Sequence, residues 1–159
     1  MDPKLLRVLI PVALLTGAVY LVLLWQPGRQ VRLHQANFFR ALEKRDAVRA
    51  AEFMSASYAD RWGHDKEFVV RESRELFQHF VAFKIVHEER YLRPGTGEMT
   101  LATKITLTGT GSPIADYAKQ RVGALTEPFL FRWKKQSWKP WDWQLVSFDQ
   151  SQLELPNLP

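Results

Sequence analysis

The sequence has no cysteine among its 159 residues. This absence excludes disulfide bonds, thiolate zinc sites and cysteine nucleophiles, and it leaves the redox compartment undetermined. The four histidines, His34, His64, His79 and His87, are scattered, and none lies three or four residues from another. We therefore predict no metal site. The sequence also lacks a GxxxxGK[ST] phosphate loop, and no cofactor is expected.

The sequence also lacks a long run of charge of one sign. Its net charge is +5, but lysine and arginine alternate with aspartate and glutamate along the chain. This pattern is not that of a nucleic-acid-binding tail, so a nucleic-acid partner is not expected. A basic surface for anionic lipid or nucleic acid, formed by Arg132, Lys134, Lys135 and Lys139, stays a minor hypothesis.

One long apolar run stands at the beginning of the chain, at residues 5–25, LLRVLIPVALLTGAVYLVLLW. Beyond Arg7 it carries no charge for about eighteen residues, roughly the length of helix that crosses the hydrocarbon core of a bilayer. It ends in bulky residues rather than in the small residues of a signal-peptide cleavage site. We predict an uncleaved membrane anchor over residues 1–27 that contacts lipid through residues 5–25, with Trp25, Arg29 and Arg32 at the membrane interface.

The orientation of this anchor is less clearly encoded. Lys4 and Arg7 precede the run, whereas Arg29, Arg32 and Arg40 follow it, and this count slightly favours a cytoplasmic body. A very short N-terminal tail is instead typical of a signal anchor that exports its C-terminal domain. We expect a single-pass protein of a bacterial inner membrane with its body in the periplasm, and the cytoplasmic orientation stays open.

The remainder of the chain is long enough for one domain and begins with helical patterns. Residues 31–62 read as two helices that are divided at Asp46, and a third helix begins after Gly63 with Asp65 as its cap. The period then changes to that of strands. AFKIVHEERYL predicts a strand with Phe83, Ile85, His87, Glu89 and Tyr91 on one face.

A second strand and a Trp-rich segment follow. Residues 99–111 alternate strictly, after the turn PGTGE, and complete a hairpin; a short helix then starts at Ser112 and Pro113. The aromatic rings of the segment FRWKKQSWKPWDWQLVSFD could either stack on nucleic-acid bases or cover the face of a sheet. Its aromatic residues alternate with polar ones, so we predict two strands whose rings cover a sheet face. The rings and side chains concerned are Phe129, Phe131, Trp133, Trp141, Trp143 and Leu145.

Helices followed by antiparallel strands resemble the nuclear transport factor 2-like (NTF2-like) superfamily, which includes SnoaL-like and ketosteroid-isomerase-like proteins. The segments that carry the resemblance are NFFRALEKRDAVRAAEFMSASYADRW, KIVHEERYL with MTLATKITLTG, and FLFRW with WDWQLVSFD. The resemblance covers nearly everything after the anchor. It implies an α+β fold in which three helices pack on a curved antiparallel sheet, as a cone-shaped roll over residues 28–150. Residues 151–159 form a C-terminal tail.

The resemblance also implies a pocket between the helices and the sheet. An isomerase-like site would need a carboxylate base and hydrogen-bond donors beside an apolar cavity. The weak pocket candidates are His87 or Glu89 as a base and Tyr91 or Tyr58 as a donor. The alternative interpretation places these residues at a solvated strand end and at a helix-capping turn. No residue set matches an isomerase site position by position, so no catalytic residue is assigned.

We expect a non-enzymatic, membrane-anchored protein that docks a membrane or periplasmic protein, as an accessory subunit of a bacterial envelope complex. The combination of anchor and roll is similar to that of the inner-membrane scaffold subunits of type IV secretion systems. A homo-oligomer is left open. The alternative is a protein that binds a small apolar ligand, or an isomerase- or dehydratase-like enzyme that uses the cone pocket.

Overall fold

The computed structural model of the protein describes the backbone of residues 3–153 and the side chains of residues 9–153. It has an α+β fold in which the helices precede and flank one antiparallel sheet, as predicted. The elements, in chain order, are α1 (Pro3–Leu24), α2 (Pro27–Glu43), α3 (Ala47–Glu52), α4 (Lys66–Gln78), β1 (Phe80–Pro94), β2 (Glu98–Gly111), α5 (Pro113–Gly123), β3 (Phe129–Lys135) and β4 (Trp143–Asp149).

The helices α3 and α4 begin at the two predicted aspartate caps. The Asp46 carboxylate accepts a hydrogen bond from the Arg49 backbone N–H at 3.0 Å, and the Asp65 carboxylate accepts one from the Phe68 N–H at 2.8 Å. Each bond satisfies a backbone donor that the first turn of a helix leaves unpaired. Between α2 and α3 the chain reverses through Arg45, which has a positive φ of 56°. The predicted helix boundaries at these two positions are confirmed.

The four strands form one sheet in the order β1-β2-β3-β4, and every neighbouring pair is antiparallel. The predicted hairpin is β1 with β2, in which Ile85 lies opposite Leu107. The register continues across the sheet, with Leu101 opposite Phe131. Because side chains alternate along a strand, these residues share the sheet face that packs against the helices, which we call the inner face.

The end of α2 protects the free edge of β1. The Ile85 N–H donates to the Glu43 carboxylate at 2.8 Å, and the Arg45 guanidinium donates to the carbonyl oxygens of Phe80 and Val81. Unpaired edge groups are a template for pairing with another chain. Side chains from the α2–α3 junction therefore occupy part of this edge.

Helix α5 packs tightly against the end of β2. A Cβ atom on Gly111 would lie 2.3 Å from the His79 carbonyl oxygen and 2.7 Å from the Ala115 Cβ, so a larger residue would force these segments apart. Ala115 itself is fully buried there. The short helix predicted from Ser112 and Pro113 is confirmed, and glycine at position 111 is what allows it to lie against the sheet.

The Trp-rich segment forms two strands, with one correction. Trp133 and Trp143 are buried on the inner face, as predicted. Trp141, which the alternating pattern placed in the second strand, precedes it: β4 begins at Trp143, and Trp141 is 51% exposed. The reason is the loop at Pro140, where the Gln136 N–H donates to the Asp142 carbonyl oxygen at 2.9 Å and closes a turn before the strand starts.

The prediction of a single membrane-spanning helix over residues 5–25 is not supported. Within residues 9–153, no one helix combines the length and the apolar character that a membrane crossing requires. The segments Leu9–Leu24 and Pro27–Glu43 meet those requirements only as a pair, and they are bent by 69°. The helix is interrupted at Trp25 and Gln26, and α2, which begins at Pro27, carries charged residues, so its hydropathy differs from that of α1.

The C-terminal tail begins in contact with the body. Leu153 packs against the core, and the Gln152 side-chain oxygen accepts hydrogen bonds from the backbone N–H groups of Thr126 and Glu127 at 2.8 and 3.1 Å. The remainder of the predicted tail, residues 154–159, lies outside the described residues. The boundaries 1–27, 28–150 and 151–159 stay predictions.

Candidate functional site

A central cavity of about 220 Å³ lies between α2, α4 and the inner face of the sheet. Among the residues that the structure describes, Ser73 is the only polar one in its lining. Helix α2 contributes Phe38 and Phe39, which the helical period places towards the sheet. The remaining lining residues are Leu42, Met54, Val69, Leu76, Phe77, Ile85, Ile105, Leu107, Val122, Phe129, Phe131, Leu145, Phe148 and Leu153.

Aromatic rings shape the wall of this cavity. Phe39 meets Phe131 edge to face, with ring centroids 5.4 Å apart, and Phe131 stacks with Phe148 at 6.2 Å. Edge-to-face and offset contacts are the favoured arrangements of aromatic pairs. A smaller recess of about 30 Å³ adjoins the cavity between α2, α3 and α4, and Arg45 and Arg74 are its charged lining residues. The cavity is therefore apolar inside, with basic groups on one side.

A second cavity of about 390 Å³ lies beside the beginning of α2. Polar residues contribute much of its lining: Arg29, Arg32, Gln35, His87, Glu89 and Thr103. Two of the sequence-predicted pocket candidates, His87 and Glu89, thus line this second cavity and not the central one. Because Phe38 and Phe39 of α2 face the central cavity while Arg29 and Arg32 face the second, the two cavities differ sharply in polarity.

The Glu89 carboxylate is paired with Arg32. The guanidinium donates two hydrogen bonds to the carboxylate, at 2.6 and 2.7 Å. These hydrogen bonds lower the pKa of Glu89 below its ordinary value, with a further contribution from the charge of Arg32 that partial burial opposes. The same pairing raises the pKa of Arg32. A carboxylate held in this way is a weaker proton acceptor than a free one, which disfavours a role as general base.

His87 and Tyr91 do not lie on the same face of β1. The His87 ring packs against Phe39, with centroids 5.0 Å apart. A bulge between Glu89 and Tyr91 then shifts the register, so that Tyr91 lies opposite Ala102 and not opposite an inner-face residue. The expectation that Tyr91 shares a face with His87 and Glu89 is therefore wrong, because one extra residue in a strand reverses the alternation that follows it.

Tyr58 lies in a different part of the molecule. Its ring is buried, and its hydroxyl makes no hydrogen bond among the described residues, although the Phe148 backbone faces it. Burial raises the pKa of Tyr58 well above its ordinary value, and the charge of Asp60 adds to this effect. Tyr58 lines neither of the two cavities. The four sequence-predicted candidates therefore do not converge on one site.

The neighbouring turn has a structural role. The buried Asp60 carboxylate accepts hydrogen bonds from the backbone N–H groups of Trp62 and His64, each at 2.9 Å, and lies 3.1 Å from the His64 Nδ1 atom. The His64 ring stacks on Phe68 at 4.1 Å. This arrangement organises the turn before α4, in agreement with the capping interpretation.

A buried polar network lies beside the second cavity, whose lining includes Gln35 and Thr103, and it was not predicted. The Gln35 amide donates to the Thr103 hydroxyl at 2.7 Å, and the Trp133 indole N–H donates to the Gln35 side-chain oxygen at 3.2 Å. All three residues are buried. The available signal was a glutamine within the apolar stripe of α2, four residues after Val31. Such a residue is stable inside a core only when it is hydrogen-bonded.

The predicted membrane-interface residues are placed as follows. The Trp25 ring contacts the Trp141 ring at 6.4 Å, and the Arg29 guanidinium lies over the Tyr20 ring at 5.9 Å. Arg32 is paired with Glu89.

As for metals, residues 9–153 contain no group of three or more histidine, aspartate or glutamate side chains that could hold an ion.

Comparison with known proteins identifies the fold class. No known family profile and no curated protein sequence matches the chain. Among solved structures, a candidate dehydratase of the NTF2-like family from Streptomyces avermitilis is similar, with a TM-score of 0.56 and 12% identity over 77% of this chain and 93% of that chain. A domain of unknown function with a cystatin-like fold from Nostoc punctiforme has a TM-score of 0.53 and 13% identity over 79% of this chain and 76% of that chain.

A longer protein, from Bdellovibrio bacteriovorus, is also similar. It has a TM-score of 0.58 and 8% identity over 79% of this chain, which spans only 40% of that protein's length. Identities this low establish the fold alone, because one fold supports many functions. The chain therefore has an NTF2-like fold, and the predicted resemblance is confirmed at that level.

Proposed function

We propose that this protein is a membrane-anchored, non-enzymatic binding protein whose central cavity takes a small apolar ligand. The proposal rests on the lining of that cavity, in which Ser73 is the single polar residue within the described part of the chain. Ligand pockets are generally apolar, with a few polar groups that fix orientation. Apolar cavities of about 150 Å³ are known to take up benzene, and this one is larger.

Binding without catalysis is favoured by the position of the ionisable candidates. An isomerase or dehydratase would need a base within hydrogen-bonding reach of its substrate. Glu89 is instead paired with Arg32 and lines the second cavity. Arg45 and Arg74, which line the adjoining recess, favour ligands with a negative end over neutral ones.

The anchoring part of the proposal is supported by the surface of α1. Its apolar side chains are exposed on all sides, as Leu14 and Leu15 illustrate at 69% and 67% exposure. An apolar surface of this extent is unfavourable in water, and a lipid bilayer would cover it. We propose that α1 lies in a bacterial inner membrane and that the body is periplasmic. Accessibility of a C-terminal tag to protease in spheroplasts tests the sidedness.

The four isoleucines give a direct test of the cavity. Ile85 and Ile105 line it, Ile114 is exposed on α5, and Ile10 is on α1. We would label their methyl groups in the full chain in lipid nanodiscs and titrate benzene. The expected result is saturable shifts of the Ile85 and Ile105 signals and no shift of Ile114. Ile10 reports any partition of benzene into lipid.

A filling variant provides the matched control. Leu107→Trp adds a ring to the cavity wall, so the saturable shifts of Ile85 and Ile105 should be lost. If benzene moves Ile10 while Ile85 and Ile105 stay unchanged in the parent chain, the cavity does not bind apolar ligands and the proposal fails.

A second candidate function is docking of a membrane or periplasmic protein, or of a second copy of this chain. It is favoured by large apolar side chains that project from the body, notably Val81 at 81% and Tyr117 at 64% exposure. A photo-crosslinking amino acid at position 117 in native membranes should trap the partner. The same group at the exposed Glu67 is the control, and equal products at both positions contradict specific docking.

A further inference from the structure

The loop between β3 and β4, residues 136–142, exposes two tryptophans. We call it the tryptophan loop. Trp138 is 84% exposed and Trp141 is 51% exposed. Full exposure of an indole ring is unusual in water, whereas tryptophan is enriched at the level of lipid headgroups, where one end of the ring is apolar and the other polar.

Hydrogen bonds hold the tryptophan loop in one shape. The Gln136 N–H donates to the Asp142 carbonyl oxygen at 2.9 Å, and the Asp142 N–H donates to the Lys139 carbonyl oxygen at 3.3 Å. The buried Trp143 ring donates to the Pro140 carbonyl oxygen at 3.0 Å. The two exposed rings are therefore presented by an organised loop that is fixed to the core.

The loop lies where α1 joins the body. The Trp141 ring is 6.4 Å from the ring of Trp25, the residue that follows α1. At the same end of the sheet, the Lys135 N–H donates to the Gly97 carbonyl oxygen of the β1–β2 turn. A bilayer that covers α1 would thus reach the loop at the depth of Trp25.

The charges of the loop complement an anionic surface. Lys139 is exposed beside Trp138, and Lys135 lies at the base of the loop. Each basic residue near an anionic membrane adds about 1 kcal/mol of attraction, or roughly a fivefold gain in affinity. Lys134 contributes less because it lies 3.8 Å from the Glu98 carboxylate. A nucleic acid is a poorer fit, since the loop includes Asp142 and its rings adjoin an apolar helix.

We infer that the tryptophan loop inserts into the headgroup region of an anionic bilayer, as a second contact beside α1 that fixes the orientation of the body. This inference rests on the membrane anchoring proposed above. It goes beyond the basic surface for anionic lipid or nucleic acid that the sequence offered as a minor hypothesis, because it adds the two exposed tryptophans; Trp141 had been assigned to a sheet and not to the surface.

The absence of cysteine allows a clean test with the full chain. A single cysteine would be introduced by Ser137→Cys, Leu15→Cys or Arg121→Cys, labelled with the polarity-sensitive dye NBD, and reconstituted in vesicles of phosphatidylcholine and phosphatidylglycerol. Position 137 reports the loop and position 15 reports α1. Arg121 is exposed on α5, which packs against the end of β2 that lies away from the loop.

The expected result is blue-shifted emission at positions 15 and 137, quenching of both by brominated lipid, and neither effect at position 121. The variants Trp138→Ser and Trp141→Ser, combined in the Ser137→Cys chain, should abolish the blue shift at 137 and leave that at 15 unchanged. Their unchanged thermal unfolding would establish that the fold is intact. Neutral vesicles should weaken the effect at 137.

The failures of the two proposals are distinguishable. If position 15 gives no blue shift, the membrane anchoring fails and this inference fails with it. If position 15 is blue-shifted while position 137 behaves like position 121, the anchoring stands and the tryptophan loop does not bind lipid. If a single-stranded oligonucleotide, and not vesicles, shifts the emission at position 137, the loop binds nucleic acid and the inference is wrong.

Discussion

Trp133 and Trp138 differ greatly in environment although they are close in the chain. Trp133 is fully buried and donates its indole N–H to Gln35, whereas Trp138 is 84% exposed. Trp133 occupies an inner-face position of β3, but Trp138 follows the end of that strand. Composition alone therefore does not assign a role to a tryptophan. Its position relative to the strand decides whether the ring stabilises the core or faces outward.

The largest predicted effect concerns the buried ring. Trp133→Ala removes a fully buried side chain and leaves a cavity, so it should lower the free energy of unfolding by about 3–5 kcal/mol. Urea unfolding of the full chain in nanodiscs, followed by circular dichroism, measures this loss. Trp138→Ala is the matched control and should change the free energy by no more than about 0.5 kcal/mol. Equal losses in both variants would contradict the contrast between the two rings.

A smaller effect is predicted for the partner of Trp133. Gln35→Ala removes the acceptor of the indole N–H and the donor to the Thr103 hydroxyl. Buried polar groups without a partner cost about 1–3 kcal/mol, and unfolding free energy should fall by that amount. The double variant Gln35→Leu with Trp133→Phe removes both polar partners of that bond. Because Trp133→Phe also removes buried ring volume, the double variant is compared with the single variants Gln35→Leu and Trp133→Phe: its loss in free energy of unfolding should be smaller than the sum of theirs, and a strictly additive loss would argue against the bond.

The smallest effect is predicted for the partly exposed ion pair between Arg32 and Glu89. Glu89→Gln breaks the Arg32 pair, and because both side chains are partly exposed the free energy of unfolding should fall by less than about 1 kcal/mol. The pKa of Glu89 is lowered in the folded state, so its contribution is present at neutral pH and is lost as the pH falls through the folded pKa. Parent and variant should therefore converge in stability only at a pH below the ordinary pKa range of a glutamate side chain.

The dependence on salt concentration should distinguish the Arg32–Glu89 ion pair from the buried hydrogen bonds of Gln35. High salt should reduce the difference between Glu89→Gln and the parent chain, since exposed charges are screened. The effect of Gln35→Ala should not change. A pH-independent loss in Glu89→Gln would indicate that the variant acts through packing and not through charge.

Features that depend on neighbours along the chain could be predicted. Asp46 and Asp65 were identified as caps because a short acidic side chain before a helical pattern satisfies the first free N–H groups. The β1–β2 hairpin followed from strict alternation after a glycine-containing turn. The order of elements followed in the same way, and with it the NTF2-like fold.

Features that depend on contacts between distant segments could not be predicted. The face of Tyr91 depends on a bulge in the pairing of β1 with β2, and that register is set by two strands together. The ion pair of Glu89 joins residues 57 positions apart. The candidate site was accordingly assigned to ionisable residues, whereas the central cavity is lined by side chains that read in the sequence as ordinary core.

The sequence by itself determined the helices, the strands, their order and the apolar character of α1, because capping, alternation and hydropathy act over a few residues. Only the tertiary structure decided that the cavity is apolar, that Glu89 is paired with Arg32, and that Trp141 lies beside Trp25. These outcomes depend on how packing brings distant residues together, and no local pattern encodes that.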